Sequence, residues 1–320
     1  MSAPKVLLAT SWGQKQCGIQ AHSEMLIDAV KQADPEIEII PSSEMLKATP
    51  TPVEYDIVHL NYHRALHSRW TPREVRRWQT YKKVIITFHD TFGENPPDAL
   101  TSELNEVADA FIVHEPCVGL HGAIYWRQGV PEAEGLLGRL HVQYPSRPIL
   151  GTVGFDFPWK NYTLLAQLTA KYGWGLQICV PEITKERQAE LEAINPWTQF
   201  ALNLPTREVI ATLAECDATA FLYVCANSGT SAAIRLGIAA RKPLIAFSTC
   251  RQFRDLLLDP FGSVAISWAT TVEEVEIRLR TTNLSRFDTC VTALAEQDSW
   301  RHLGRQYANL YRVMATGGRV

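Results

Sequence analysis

The sequence predicts an α/β protein made of two Rossmann-like domains, each a parallel sheet with helices between its strands. Three observations lead there. Short apolar runs bounded by turn residues alternate with amphipathic stretches along nearly the whole chain. A length of 320 residues exceeds what one ordinary core serves. The alternation also starts afresh after the proline-bearing segment Gln143-Tyr-Pro-Ser-Arg-Pro148, which places the domain boundary near residue 145.

The apolar run Val6-Leu-Leu-Ala is too short for a secretion signal and reads as a first strand, Lys5–Ala9. Further strands are expected at Ile37–Ile40, Asp56–Leu60, Lys83–Thr87 and Ala110–Val113. Helices are expected at Gln20–Lys31, Pro72–Tyr81, Ser102–Ala108 and Gly119–Gln128. In the second half the strands are Ile149–Val153, Leu176–Val180, Ala218–Leu222, Pro243–Ala246 and Val264–Ile266. Its helices are Asn161–Tyr172, Thr184–Ile194, Pro205–Cys216, Ser231–Ala239 and Thr271–Thr281, and only the last residues, Thr316–Val320, read as frayed.

Apolar residues at 46% and charged residues at 20% are globular composition. A formal net charge of −3 excludes polyanion binding by bulk electrostatics. No apolar run approaches the ~20 residues that span a bilayer. The seven cysteines are scattered and hold no CxxC pair, which reads as free thiols in a reducing cytoplasm. The expected location is therefore cytoplasmic, with peripheral membrane attachment open because of the basic segment described below.

The segment Asn227-Ser-Gly-Thr-Ser-Ala-Ala-Ile-Arg235 carries the chemistry of most interest. A glycine flanked by Ser and Thr at a helix start leaves backbone N–H groups free at the positive end of the helix dipole, a combination that binds phosphate. Ser228, Gly229, Thr230 and Ser231 supply those donors, and Arg235 stands one turn into the helix. A phosphorylated ligand, a nucleotide first of all, is the expectation.

Several segments resemble, in order, the GT-B glycosyltransferases, and within them the retaining, metal-independent family 4 type group. Cys17-Gly-Ile-Gln-Ala-His-Ser-Glu-Met-Leu26 is similar to the Gly-Gly-Ile loop that opens the first helix. Asp56-Ile-Val-His-Leu-Asn-Tyr-His63, Val84-Ile-Ile-Thr-Phe-His-Asp90 and Ala108-Asp-Ala-Phe-Ile-Val-His114 resemble three first-domain strand motifs. Ile149-Leu-Gly-Thr-Val-Gly154 with Lys160 and Asn161 resembles the opening of the donor domain, and the stretch Pro205–Ala218 the helix running into Ala-Asp-Val. Ser299–Tyr311 resembles the terminal helix, which in that fold returns to the first domain. The resemblance implies an acceptor-side domain at 1–145, a nucleotide-sugar donor domain at 146–298, a returning helix at 299–320, and a central cleft that both sheets face. The chain departs from the group in lacking its two glutamates eight residues apart: the corresponding pairs are Asn227 with Arg235 or Ser228 with Leu236. Phe155 stands where the group has an arginine, while Lys160 is kept.

These features imply a hexosyltransferase-like enzyme that moves a sugar from a UDP- or GDP-type donor to an acceptor, without a cofactor or metal. Lys160 and Arg235 are expected on the diphosphate, an arginine fork suiting phosphate oxygens. His89 is expected to position the sugar. Gly18 and Asn203 are expected on the donor, Gly18 as a close-approach glycine or as a plain strand-to-helix turn. Asn61, Tyr62, His63 and Asp90, at strand ends, are expected to line the acceptor pocket. His59, His63 and His67 have helical spacing, but His59 sits on a strand, so no shared metal site is expected. Residues 64–83 carry seven basic residues against Glu74, with Arg73, Arg76 and Arg77 on one helical face. That face suits an acceptor such as nucleic acid or a lipid-linked glycan at an anionic membrane, or is a solvated basic helix. No obligate protein partner is evident. Two other readings stay open: a GT-B nucleotide-sugar-binding or scaffolding protein without catalysis, which the missing glutamates favour, and a sugar-nucleotide epimerase.

Overall fold

A computed structural model of the chain describes residues 3–10, 18–42, 55–64, 70–80, 82–90, 97–115, 119–132, 147–224, 230–280 and 288–318. The chain divides into two compact units, one of Met1–Gly129, Ser228–Thr230 and Ser299–Val320, the other of Val130–Asn227 and Ser231–Asp298. The boundary expected near residue 145 lies outside the described residues.

The first unit runs β1 (Lys5–Ala9), α1 (Gly18–Ala33), β2 (Glu38–Ser42), β3 (Ile57–Tyr62), α2 (Pro72–Gln79), β4 (Lys83–Phe88), α3 (Ala99–Val107), β5 (Ala110–Val113) and β6 (Ile124–Tyr125). Its strands pair in parallel in the order β2-β1-β3-β4-β5-β6. Consecutive residues of the central strands are apolar because both faces are buried. Ile57 and Ile85 pack with Leu26 and Val30 on one face, while Val58 and Ile86 pack with Val75, Trp78 and Leu104 on the other. Thr71 caps α2 ahead of Pro72, and Asp98 caps α3 through the Thr101 N–H at 2.9 Å.

A terminal helix, α12 (Trp300–Ala315), completes this unit against α1. Contact is close at Gly304, where a Cβ would lie 2.5 Å from the Ala29 carbonyl oxygen. Tyr307 and Tyr311 on α12 reach the sheet. His59 shares one ring nitrogen with the Tyr311 hydroxyl at 2.6 Å and the other with Thr87 Oγ1 at 2.8 Å, and Thr87 meets Tyr307 at 3.0 Å.

The second unit contains β7 (Ile149–Val153), α4 (Tyr162–Tyr172), β8 (Gly175–Val180), α5 (Lys185–Ile194), β9 (Thr198–Leu202), α6 (Thr206–Ala214), β10 (Ala218–Phe221), α7 (Ala232–Ala239), β11 (Leu244–Phe247), α8 (Arg254–Leu258), α9 (Pro260–Ala265), β12 (Ser267–Ala269), α10 (Val272–Arg280) and α11 (Asp288–Gln297). The sheet is parallel in the order β12-β11-β10-β7-β8-β9. Strand order reverses between β1 and β3 in the first sheet and between β7 and β10 in the second. Beyond the carboxyl ends of such strands open α/β sheets hold their ligands. Cys179, Cys216 and Cys250 are buried and form no disulfide, and burial pushes the Cys179 thiol up to about 12.

Two expected elements differ. Gly119–Gln128 is no helix: Gly119 and Gly122 take φ of +100° and +75°, and Ile124–Tyr125 pair instead with Ile112 and Val113. Val264 and Ala265 end helix α9, whose first turn is set by Pro260 and by Asp259 capping the Phe261 and Gly262 N–H groups, so the strand begins only at Ser267. Among the described residues no helix is long and apolar enough to cross a membrane.

Candidate functional site

At the switch point of the second sheet, β7 is followed by Gly154, whose φ of +142° only glycine adopts readily. Around it three side chains tie the strand ends together. The Tyr162 hydroxyl donates to the Gly154 carbonyl and the Tyr223 hydroxyl to the Val153 carbonyl, each at 2.9 Å. Burial raises both phenols, keeping them protonated as donors. Asn161, left-handed at φ 56°, donates to the Leu222 carbonyl at 2.7 Å. Lys160 sits at the end of a 3-10 turn over this frame, only 6% exposed, with its ammonium 3.6 Å from the centre of the Tyr223 ring. A Cβ on Gly154 would come within 3.1 Å of Lys160 Nζ. The glycine is thus required for its dihedral, and the lysine packs closely above it. Beside Lys160, Phe157 stacks on Trp159 with ring centroids 4.4 Å apart and is itself exposed.

Helix α7 corrects one expectation. Arg235 does not stand free for a diphosphate: it is 1% exposed and its guanidinium is paired with the equally buried Asp255. Its Nε and Nη1 have no partner. Buried Ser231 caps α7 without a side-chain hydrogen bond, and its own N–H goes to the Gln252 carbonyl at 3.1 Å. Thr230 precedes it, half-buried, and Ser228 and Gly229 lie outside the described residues. Asn203 is exposed in a left-handed turn after β9, with φ of 50°. The turn by itself accounts for asparagine there.

In the first unit Gly18 is exposed at the start of α1, and a Cβ there would meet nothing within 4 Å. His89 follows β4, buried, its N–H held by the Tyr62 carbonyl at 2.9 Å. Its ring lies 4.5 Å from that of His22 and 4.9 Å from that of His114. Asp90, also buried, accepts the Arg64 N–H at 2.9 Å and faces His63 Nε2 at 3.5 Å. Asn61 and Tyr62, expected in an acceptor pocket, are instead interior. The Asn61 amide donates to Ser23 on α1 at 2.7 Å, and Tyr62 stacks on Phe88 at 5.5 Å. On α2, Arg73, Arg76 and Arg77 are exposed and Pro72, Val75 and Trp78 are buried.

Tyr162, Tyr223, His22 and His114 were not singled out by sequence. Each sits one or two residues past a strand or inside a helix, where its side-chain direction follows from tertiary packing. The signal available was position alone: Tyr223 and His114 directly follow apolar runs, as His89 does.

Two parallel α/β units of this kind make the GT-B glycosyltransferase fold. The chain is similar to the sucrose-phosphate synthase of Thermosynechococcus elongatus, with a TM-score of 0.68 and 13% identity over 98% of this chain and 100% of that one. It is similar to HepE of Anabaena, solved in complex with UDP and glucose, at a TM-score of 0.65 and 13% identity, covering 97% of this chain and 99% of that one. AviGT4, a glycosyltransferase involved in avilamycin A biosynthesis, matches at 0.62 and 14% identity, with 98% and 99% coverage. No family model and no curated protein matches the chain.

Proposed function

We propose that this chain transfers a sugar from a nucleotide-sugar to an acceptor, with retention of anomeric configuration and without a metal in the transfer step. The observation that carries the reading is the buried Lys160 ammonium held over Gly154 at the switch point of the second sheet. Negative charge develops on the departing diphosphate, and a cation fixed in a site of low dielectric stabilises it as it forms. The start of α7, preceded in sequence by Ser228, Gly229 and Thr230, extends that contact. With Arg235 neutralised by Asp255, Lys160 carries more of the phosphate charge than the sequence implied. Gly18, with open space beside it, lets the donor approach α1, and Asn203 contributes from its loop. His89 positions the sugar. The leaving phosphate takes the acceptor's proton, so no separate general base is required. His63 and Asp90 contact the acceptor, and the basic face of α2 selects polyanionic ones.

The fold-level similarity to HepE, solved with UDP and glucose, supports a uridine donor first. Calorimetric titration with a panel of nucleotide-sugars tests the reading: one should bind, and Lys160→Gln should weaken it about 10- to 100-fold, the loss of a charge-assisted contact. Failure of every donor to bind overturns it. A nucleotide-sugar-binding protein without catalysis is the second reading, favoured by the absence of both group glutamates. Tight binding with neither transfer nor hydrolysis of the donor would select it.

A further inference from the structure

We propose that His22, His89 and His114 form a binding site for one divalent transition ion of the zinc type. The three come from separate elements of the first unit: His22 from α1, His89 from the end of β4 and His114 from the end of β5. All are buried, and one ligand nitrogen of each lies within 4.8 Å of those of the other two. The third ring pair, His22 with His114, has its centroids 5.4 Å apart.

Two features go beyond proximity. His22 is wholly buried, yet neither of its ring nitrogens has a hydrogen-bond partner. Buried polar atoms are almost always satisfied, so this ring is held where something else must meet it. His114 Nδ1 lies 2.8 Å from the Trp126 carbonyl. A carbonyl only accepts, so Nδ1 carries the proton and Nε2 keeps its lone pair. This is the outer-shell contact that fixes the tautomer of metal-bound histidine.

The cradle is rigid on the side of α12. The Trp300 ring lies 4.9 Å from His22, and a Cβ on Gly129 would strike it at 2.6 Å, so indole and glycine backbone back the histidine together. Zinc–nitrogen distances of ~2.0–2.1 Å put tetrahedral ligand nitrogens about 3.3 Å apart. Loading therefore turns the rings inward from their present spread. Three neutral imidazoles suit zinc, cobalt, nickel or copper rather than magnesium or calcium. An ion here occupies His89, so metal loading and the sugar contact proposed for that ring exclude each other. The binding itself does not depend on the transferase reading.

The test uses the full chain stripped with a chelator and then titrated with zinc against a chromophoric competitor, and with cobalt read by its visible spectrum. One ion per chain should bind, with nitrogen-type cobalt bands and no thiolate charge-transfer band from the cysteines. His22→Phe, which keeps an aromatic ring against Trp300, and His114→Gln should each weaken binding at least 100-fold. His121→Ala, at an exposed histidine outside the cluster, should leave it unchanged. Circular dichroism confirms that each variant is folded, and either cluster variant suffices if the other is not. Absence of binding, a thiolate band, or affinity unchanged in the folded cluster variants overturns the proposal. Donor binding in the metal-free protein is measured separately, so loss of one activity is not mistaken for loss of the other.

Discussion

A buried cation has to be matched where it stands, and Arg235 and Lys160 solve this differently. Arg235 meets Asp255 in the interior of the second unit, both essentially without solvent contact. Breaking such a pair costs more than the pair contributes, because the remaining charge is left in a medium of low dielectric. Asp255→Asn should therefore destabilise the protein by ~3–5 kcal/mol, since Nε and Nη1 of Arg235 already lack acceptors. The double variant Arg235→Met with Asp255→Leu should recover most of that loss. Urea unfolding of the three proteins checks it, and a double variant as unstable as the single one would refute the argument. Lys160, by contrast, rests on the face of Tyr223. From sequence alone the two cations look equivalent. What separates them is Asp255, twenty residues from Arg235 along the chain, which no local pattern connects to it.

Elements were legible where their periodicity was strong and blurred where turn chemistry competed with it. The buried strands β1, β5 and β7 occupy the residues expected of them, because apolar runs between polar turns leave little choice. The stretch Gly119–Gln128 has apolar residues at helical intervals but two glycines at positive φ, and the turns prevail. Edge strand β9 and helix α11 were not expected at all. The exposed face of β9 dilutes its apolar signal. Packing between elements makes its own prediction. Gly304→Ala places a methyl against the Ala29 backbone, which has no rotamer with which to yield, and should cost ~1–3 kcal/mol by overpacking. A melting temperature equal to that of the parent would contradict it. The basic face of α2 is the opposite case. Replacing Arg73, Arg76 and Arg77 with Ala should change stability by no more than ~1 kcal/mol, as they are exposed. It should abolish retention on an anionic column and leave donor binding intact; parallel loss of both would refute the separation of roles.

For the whole molecule, buried neutral histidines set the acid limit of stability. Burial lowers His59 to about 3 and drives His22 well below its ordinary value, so both are neutral when folded. The unfolded chain protonates them below pH ~6.5. Stability is then complete above that pH and falls as pH drops from ~6.5 toward 3, at up to ~1.4 kcal/mol per pH unit for each histidine. Urea midpoints measured from pH 7 to pH 5 should decline, and His59→Gln should flatten the profile. A midpoint independent of pH across that range would refute the account. The sequence by itself determined the parallel α/β architecture and the strand end past which His89 and Asp90 stand, because burial on both faces of a sheet writes itself into local apolar runs. Only the tertiary structure decided which of these side chains are available. It turned Asn61 and Tyr62 inward, matched Arg235 with Asp255 and brought three histidines from three elements together. Such pairings join residues far apart in the chain, and the free energy that selects them exists only once the sheet and its helices are packed.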